Sequence, residues 1–234
     1  MTTRRKSKNQ EKEASQKPRS LSAKSDNQKE YIRSIIENEI IFCAGPSGSG
    51  KSYIASGMAA SKLYSGEIEQ IIITRPLVSN GTNLGAFPGT PLEKIMPHLA
   101  PMEENLKWFL QKVNYGKFIN DGTIRYEPLE LMRGATFNNA YMILDEAQNC
   151  TVDQIKMFIT RMGQNSKVLI NGDIHQTDLR GQGGLVHCMD RLSHIQGVGI
   201  CKLNYSDIQR NGILGRVLSA LEGDSDYYND DAKL

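Results

Sequence analysis

The sequence predicts an α/β fold with a mainly parallel sheet covered by helices on both faces. Short apolar, β-branched runs occur repeatedly along the chain and are typical of buried parallel strands. Stretches with helical spacing of apolar residues lie between them, and this alternation builds a doubly covered sheet. A glycine-rich loop of the form G-x-x-x-x-G-K-S follows the first apolar run, Ile40–Ala44, and a helical pattern follows the loop.

The remaining elements are expected in regular alternation. Further strands are predicted where the other apolar runs lie, at residues 71–74, 141–144, 167–171 and 198–203. Helices are predicted where apolar residues occur every three or four positions, at residues 53–63, 92–113, 152–162 and 213–221. Residues 76–91 interrupt the alternation because they are rich in Gly, Asn, Thr and Pro, so they are expected to form a long surface loop.

Length and charge predict one domain with two polar ends. A chain of 234 residues suits one substantial core, here assigned to residues 25–221. Residues 1–24 contain eight Lys and Arg against two Glu, and this basic, Ser-rich arm is expected to be disordered. Residues 222–234 are expected to form an acidic, flexible tail. No apolar run approaches the roughly 18 residues of a membrane helix, so a cytoplasmic protein without a membrane partner is expected.

The glycine-rich loop has the composition of a phosphate-binding site. Glycines allow successive backbone N–H groups to face an anion, the lysine adds a charge on the outer phosphates, and the last hydroxyl can ligate Mg²⁺. Because a strand precedes the loop and a helix follows it, we favour this interpretation over a simple tight turn. The candidate nucleotide-binding residues are Gly45, Pro46, Ser47, Gly48, Ser49, Gly50, Lys51, Ser52 and the first residue after the loop, Tyr53.

Two carboxylates follow the strand predicted at 141–144. In open α/β sheets, ligands bind beyond the carboxyl ends of the strands, so Asp145 and Glu146 are expected to face the same crevice as the loop. Asp145 would then hold Mg²⁺ together with Ser52, and Glu146 would orient and deprotonate an attacking water. The alternative is that the pair merely caps the next helix.

Two glutamines are further candidates. Gln176 follows the strand at 167–171, where its amide can donate to a γ-phosphate, although a polar turn at a strand end is the simpler alternative. Gln28 lies upstream of the loop, and a glutamine amide can match the edge of adenine. The aromatic ring of Tyr31 can pack on the base.

These pieces together resemble the PhoH family, single-domain ATPases related to the RecA-like cores of superfamily 1 helicases. The resemblance covers nearly all of residues 27–216 and implies a RecA-like P-loop NTPase fold. It is carried by Gln28, the loop at 45–52, T-R-P-L-V at 74–78, L-G-A-F-P-G at 84–89, P-L-E-L-M-R-G at 128–134, D-E-A-Q-N at 145–149, G-D-I-H-Q-T-D at 172–178 and D-I-Q-R at 207–210. The family usually has Thr at the position of Ser52, and either hydroxyl can ligate Mg²⁺.

The resemblance also implies roles for individual residues. Gln28 would read adenine, and Arg210 would contact the γ-phosphate. Arg75 and Arg133 are the other arginines considered as partners of the transferred phosphoryl group. For Arg210 the alternative is a surface ion pair, and for Arg75 it is contact with nucleic acid.

The predicted function is Mg²⁺-dependent ATP hydrolysis. The resemblance implies coupling to single-stranded RNA or DNA, with helicase or RNase-linked activity, and the basic arm fits such a partner. Because superfamily 1 motors use two RecA-like domains and this chain has one phosphate loop, a homo-oligomeric ring is expected, with a hexamer favoured. A kinase for a small molecule and a nucleotide-stabilised, non-catalytic assembly module are the alternatives. A GTP-dependent switch is disfavoured because no N-K-x-D segment follows the later strands.

Overall fold

A six-stranded parallel sheet organises the part of the chain that the structure describes. This computed structural model describes residues 17–76, 90–174, 176, 183–209 and 213–222. The strands are β1 (Ile40–Ala44), β2 (Gln70–Thr74), β3 (Ile124–Tyr126), β4 (Ala140–Leu144), β5 (Lys167–Gly172) and β6 (Val198–Lys202). Their spatial order is β3-β2-β4-β5-β1-β6, and each neighbouring pair is parallel. The predicted α/β fold with a mainly parallel sheet is therefore confirmed.

Helices cover both faces of this sheet. They are α1 (Asp26–Glu37), α2 (Lys51–Tyr64), α3 (Pro91–Asn120), α4 (Val152–Ile159), α5 (Gly184–Leu192) and α6 (Ile213–Glu222). The buried residues of α1, α2 and α3 form one apolar cluster with the sheet, and those of α4 and α5 form a second cluster. Strand β1 contributes to both clusters, since Ile41 and Cys43 belong to the first while Phe42 and Ala44 belong to the second. This alternation is what a central strand buried on both faces requires.

Three elements were not predicted. Strand β3 has only three residues and α5 has nine, whereas α1 is longer but consists mostly of polar residues. Short length in β3 and α5 and polar composition in α1 leave each segment with a weaker signal than the longer apolar runs.

Helix α3 begins close to its predicted start but continues further. A capping box begins it: the Glu93 backbone N–H donates to Thr90 Oγ1 at 3.2 Å, and the Thr90 N–H donates to Glu93 Oε2 at 2.7 Å. The helical path breaks at Gln111, which has φ 62° and ψ 152°, before resuming to Asn120. The break lies two positions before the predicted end at residue 113, where the regular apolar spacing stops.

The predicted ends of the chain lie mostly outside the described residues. These are residues 1–16 of the basic arm and residues 223–234 of the acidic tail. Residues 77–89 of the predicted surface loop also lie outside the described residues. Residues 17–24 are described, and the Arg19 N–H donates to the Phe109 carbonyl of α3 at 2.8 Å. Contact with the domain therefore starts before residue 25. Among the described helices, none combines the length and apolar character that a membrane crossing requires.

Lys167 stabilises the C-terminus of α1. Its ammonium donates to the carbonyls of Ile35 at 2.7 Å, Ile36 at 3.0 Å and Asn38 at 2.5 Å. A cation at this end of a helix satisfies carbonyls that lack intrahelical partners. Lys167→Met should therefore lower the free energy of unfolding by about 1–3 kcal/mol. Urea denaturation measures this loss, and Lys202→Met is the matched control because Lys202 is exposed on β6. Equal stability of the two variants would contradict the assigned role.

Candidate functional site

The glycine-rich loop connects β1 to α2 at the carboxyl end of the central strands. The Gly45 N–H donates to the Gly172 carbonyl of β5 at 3.1 Å, which fixes the loop's first turn against the neighbouring strand. A Cβ at Gly45 would lie 2.8 Å from both Cβ and the carbonyl oxygen of Leu203, so no larger residue fits without displacement. Gly50 has φ +99°, which strongly favours glycine. The path of the loop thus depends on these glycines.

Lys51 lies at the start of α2 and folds over the loop. Its ammonium donates to the carbonyls of Gly45 at 2.5 Å and Pro46 at 2.9 Å. Gly50 occupies the N-cap position of α2 without a side-chain hydrogen bond to the first helical N–H groups. The N-terminus of α2 therefore offers backbone donors and a lysine charge in the same place, which is the arrangement that binds phosphate.

Ser52 and Asp145 contact each other across the cleft. The Ser52 hydroxyl lies 3.0 Å from Asp145 Oδ1 and 3.1 Å from Oδ2. Burial and the neighbouring Glu146 charge raise the pKa of Asp145 to about 6, against the opposing effects of Lys51, the Ser52 hydroxyl and Arg75. A partly buried carboxylate beside a second carboxylate favours a bound cation. One hydroxyl and one carboxylate are oxygen donors of the kind that Mg²⁺ prefers.

Glu146 is held at the entrance of the turn Ala147–Asn149. It has φ 56° and ψ 38°, a left-handed backbone that is uncommon for a non-glycine residue. Its Oε2 accepts a hydrogen bond from Gln148 Nε2 at 2.6 Å, and Gln148 Oε1 accepts from the Asp173 N–H at 2.9 Å. The Glu146 side chain does not cap the turn, and Asp145 bonds to Ser52. The simple capping alternative is therefore wrong.

A cleft of about 560 Å³ brings most of the predicted site residues together. Its volume is in the range of ordinary small-ligand sites. Predicted residues that line it are Gln28, Ser47, Gly48, Gly50, Lys51, Ser52, Tyr53, Arg75, Asp145, Glu146 and Gln176. Gly45, Pro46 and Ser49 complete the loop, where the buried Ser49 hydroxyl donates to the Pro46 carbonyl at 2.8 Å.

Gln28 bonds to the glycine-rich loop through the Nε2 end of its amide and to the segment before α1 through Oε1. Nε2 donates to the carbonyls of Ser49 at 2.8 Å and Asp207 at 3.4 Å, and Oε1 accepts from the Lys24 N–H at 2.7 Å. The side chain is buried with these partners. Reading adenine would therefore require exchanging backbone hydrogen bonds for bonds to the base.

Tyr31 lies elsewhere. Its side chain is fully buried, its hydroxyl donates to Asn171 Oδ1 at 2.6 Å, and it belongs to the apolar cluster under α1. It does not line the cleft. The prediction that its ring packs on a base is therefore wrong, because α1 directs this face toward the sheet, where a large aromatic side chain fills the core.

The structure does not place Arg133 in the cleft, and it does not describe Arg210. Arg133 is exposed and does not line it. Arg210 lies outside the described residues, immediately after Gln209, which does line the cleft and whose N–H donates to the Gly48 carbonyl at 3.3 Å. Its predicted contact with a γ-phosphate stays a prediction.

Helix α3 provides a wall of the cleft that sequence reasoning missed. Its contributing residues are His98, Pro101, Glu104 and Asn105. Arg75, at the end of β2, donates from Nη1 to the His98 carbonyl at 2.6 Å, which ties the guanidinium to this wall. No local pattern marks these residues, because they meet the loop only through packing of α3 on α2.

Comparison with known proteins identifies relatives. A family model described as PhoH-like protein matches residues 20–222. The PhoH-like protein of Synechocystis sp. is 39% identical over 202 residues, covering 86% of this chain and 62% of that protein. The PhoH-like protein of Bacillus subtilis is 38% identical, with 88% and 65% covered. Protein PhoH of Escherichia coli is 38% identical, with 85% and 57% covered. This chain thus spans less than two thirds of the length of these relatives.

A solved structure agrees with the fold. The large terminase from a thermophilic bacteriophage matches with a TM-score of 0.50 and 13% identity, covering 83% of this chain and 49% of that chain. At this identity the likeness concerns the fold alone. The family model, by contrast, spans the sheet, the glycine-rich loop and both carboxylates. The chain therefore belongs to the PhoH family, as its motifs predicted.

Proposed function

We propose that this chain binds ATP with Mg²⁺ and hydrolyses it. The observation that carries the proposal is the convergence of Lys51, Ser52, Asp145 and Glu146 on one cleft, although 93 positions separate Ser52 from Asp145 in the chain. A phosphate-binding loop, a pair of metal-ligating oxygen atoms and a nearby carboxylate base are the parts that phosphoryl transfer to water requires.

Each residue has a defined role in this proposal. The N–H groups at the start of α2 and the Lys51 ammonium bind the phosphates. Ser52 and Asp145 would hold Mg²⁺, which neutralises charge on the outer phosphate oxygens when it is bound. Glu146 accepts a proton from a water as that water attacks the γ-phosphorus, and the bond to the ADP oxygen breaks. The Gln176 amide donates to the γ-phosphate.

Arg75 is the proposed cation beside the reacting end of the nucleotide. It lines the same cleft as Lys51, and its charge opposes the rise in the pKa of Asp145. One of its five N–H donors is bonded to the His98 carbonyl, so others can face a phosphate oxygen.

Arg210 is proposed as a second such cation, contributed by this chain or by a neighbouring copy in a homo-oligomeric ring, with a hexamer favoured. The ring is tested by measuring the native mass of the protein and the rate of ATP hydrolysis at several protein concentrations. A monomer that hydrolyses ATP at the full rate at every concentration would exclude the ring.

Phosphate release distinguishes ATP hydrolysis from the alternatives. The protein is incubated with ATP and Mg²⁺, and free phosphate is measured against phosphorylated products. We expect free phosphate in an amount equal to ADP, no release with excess chelator, and weaker activity with GTP. A phosphorylated small acceptor would favour a kinase, and bound but intact ATP would favour a non-catalytic assembly module.

We also propose that hydrolysis is coupled to single-stranded RNA or DNA, which the family resemblance and the basic arm support.

A further inference from the structure

Two positively charged segments lie against each other, one before α1 and the other within α3. Residues 17–24 and residues 107–117 contain six Lys and Arg and no Asp or Glu. They are joined by two hydrogen bonds: the Arg19 N–H donates to the Phe109 carbonyl at 2.8 Å, and Gln111 Nε2 donates to the Lys17 carbonyl at 2.8 Å. We call these two segments the α3 basic surface. Its cations are Lys17, Arg19, Lys24, Lys107, Lys112 and Lys117.

One of the six cations forms an ion pair with a carboxylate, and a second, Lys117, interacts electrostatically with Asp121. Lys107 forms an ion pair with Glu103 at 2.7 Å. The other five cations form no ion pair within the described part of the chain. The basic residues of 1–16 precede this surface directly in sequence, so further positive charge is tethered to it. A concentration of Lys and Arg without ion pairs in two adjoining segments is an electrostatic footprint for a polyanion.

An exposed aromatic ring lies within the α3 basic surface. Trp108 is 43% exposed, although large aromatic side chains are usually well covered. The Arg19 guanidinium lies 4.8 Å from the centroid of its ring, and Phe109 supports it edge-on at 4.8 Å. A ring that is held edge-on by Phe109, lies beside the Arg19 guanidinium and stays partly open to solvent is suited to stacking with an unpaired base.

We propose that the α3 basic surface binds single-stranded nucleic acid, with Trp108 stacking on a base and the surrounding Lys and Arg contacting phosphates. The inference rests on the proposed function, because it gives the nucleic-acid partner of that ATPase a location. The two central side chains of the surface, Trp108 and Arg19, do not line the nucleotide cleft, whereas its cation Lys24 does.

The surface is physically connected to the cleft. The Trp108 ring lies 6.0 Å from the Tyr53 ring, and Tyr53 lies 4.9 Å from Phe109. Tyr53 lines the cleft and follows Ser52 directly in α2. The path from a base stacked on Trp108 to the Ser52 hydroxyl is thus short. It consists of the contact between the Trp108 and Tyr53 rings and the peptide bond that joins Tyr53 to Ser52. Binding at this surface is positioned to alter the packing of α2 at the cleft.

The first test uses the protein's own fluorescence. Trp108 is the only tryptophan in the chain, so its emission reports on this surface alone. Oligonucleotides of about 12 nucleotides, as oligo-dT and oligo-rU, are titrated into the full-length protein at low salt. We expect emission to be quenched as binding saturates, and the two titrations show which nucleic acid binds more tightly. An abasic strand of the same length should bind more weakly and leave emission nearly unchanged. Equal affinity for the abasic strand would overturn base stacking.

The second test compares variants by the anisotropy of labelled oligonucleotides. Trp108→Ala should weaken binding about tenfold, and Trp108→Phe should retain most of it, because stacking on an aromatic ring is worth roughly that factor. Lys17→Ala combined with Lys112→Ala should weaken binding and reduce its salt dependence. Lys156→Ala is the matched control, because this exposed lysine lies on α4, on the opposite face of the sheet.

Two further outcomes separate this inference from the proposed function. Binding that neither Trp108→Ala nor the combined Lys17→Ala and Lys112→Ala change weakens would place the nucleic acid elsewhere and overturn the surface alone. A wild-type protein that binds no oligonucleotide would overturn both the surface and the nucleic-acid partner, while phosphate release would still decide whether ATP is hydrolysed. Thermal unfolding of each variant checks that a loss of binding is not a loss of fold.

Discussion

Replacing Glu146 by Gln should slow phosphate release from ATP by about 10²–10⁴-fold, the usual contribution of a general base. The amide is nearly the same size but accepts no proton from water. Nucleotide affinity should change little, because the proposed phosphate and metal contacts come from Lys51, Ser52 and Asp145. Steady-state phosphate release and equilibrium binding of a fluorescent ATP analogue measure the two effects separately.

Glu104→Gln is the control for this variant. Glu104 also lines the cleft, but it is exposed and belongs to the α3 wall. We expect its phosphate release to stay within a few-fold of wild type, since it has no assigned part in proton transfer. A Glu146→Gln enzyme that hydrolyses ATP at the wild-type rate would remove Glu146 from the mechanism. Parallel losses of binding and hydrolysis would instead assign it a structural role.

Replacing Lys51 by Ala should reduce both ATP binding and hydrolysis. Loss of a charge-assisted contact to phosphate is expected to weaken ATP binding by at least about tenfold. Because the same charge would stabilise the transferred phosphoryl group, turnover should fall by a further factor of about 10²–10³. Lys51 also bonds to the carbonyls of Gly45 and Pro46, so a small decrease in melting temperature is expected as well. Calorimetric titration with ATP and phosphate release test these losses.

Lys24→Ala is the control for Lys51→Ala. Lys24 is a second lysine that lines the cleft, but it lies before α1 rather than within the loop. In the absence of oligonucleotide, this variant should bind and hydrolyse ATP nearly as well as wild type. Equal losses in the two lysine variants would indicate a general electrostatic effect of the cleft instead of a specific contact by Lys51.

The parts of the site that the sequence predicts are those with local signals. The spacing from Gly45 to Ser52 defines the loop, because the backbone turn needs glycine at fixed positions. Asp145 and Glu146 follow an apolar strand, and the topology of a parallel sheet brings such strand ends to the same edge. The 3.0 Å contact between Ser52 and Asp145 is the direct result of that topology.

The parts that the sequence does not predict depend on tertiary packing. Tyr31 is three residues from Gln28 in one helix, yet it packs into the core while Gln28 lines the cleft. Which face of α1 meets the sheet is decided by packing. The wall formed by α3 and the exposure of Trp108 have the same origin, since both depend on how α3 packs against α2.

The measurement that tests the central claim most directly is ATP turnover in water labelled with ¹⁸O. If Glu146 activates water for attack on a Mg²⁺-bound triphosphate, the released phosphate will carry a labelled oxygen from solvent, the ADP will carry none, and Glu146→Gln will reduce the yield of labelled phosphate. Unlabelled phosphate, label recovered in ADP, or a phosphoryl group transferred to an acceptor other than water would contradict the account.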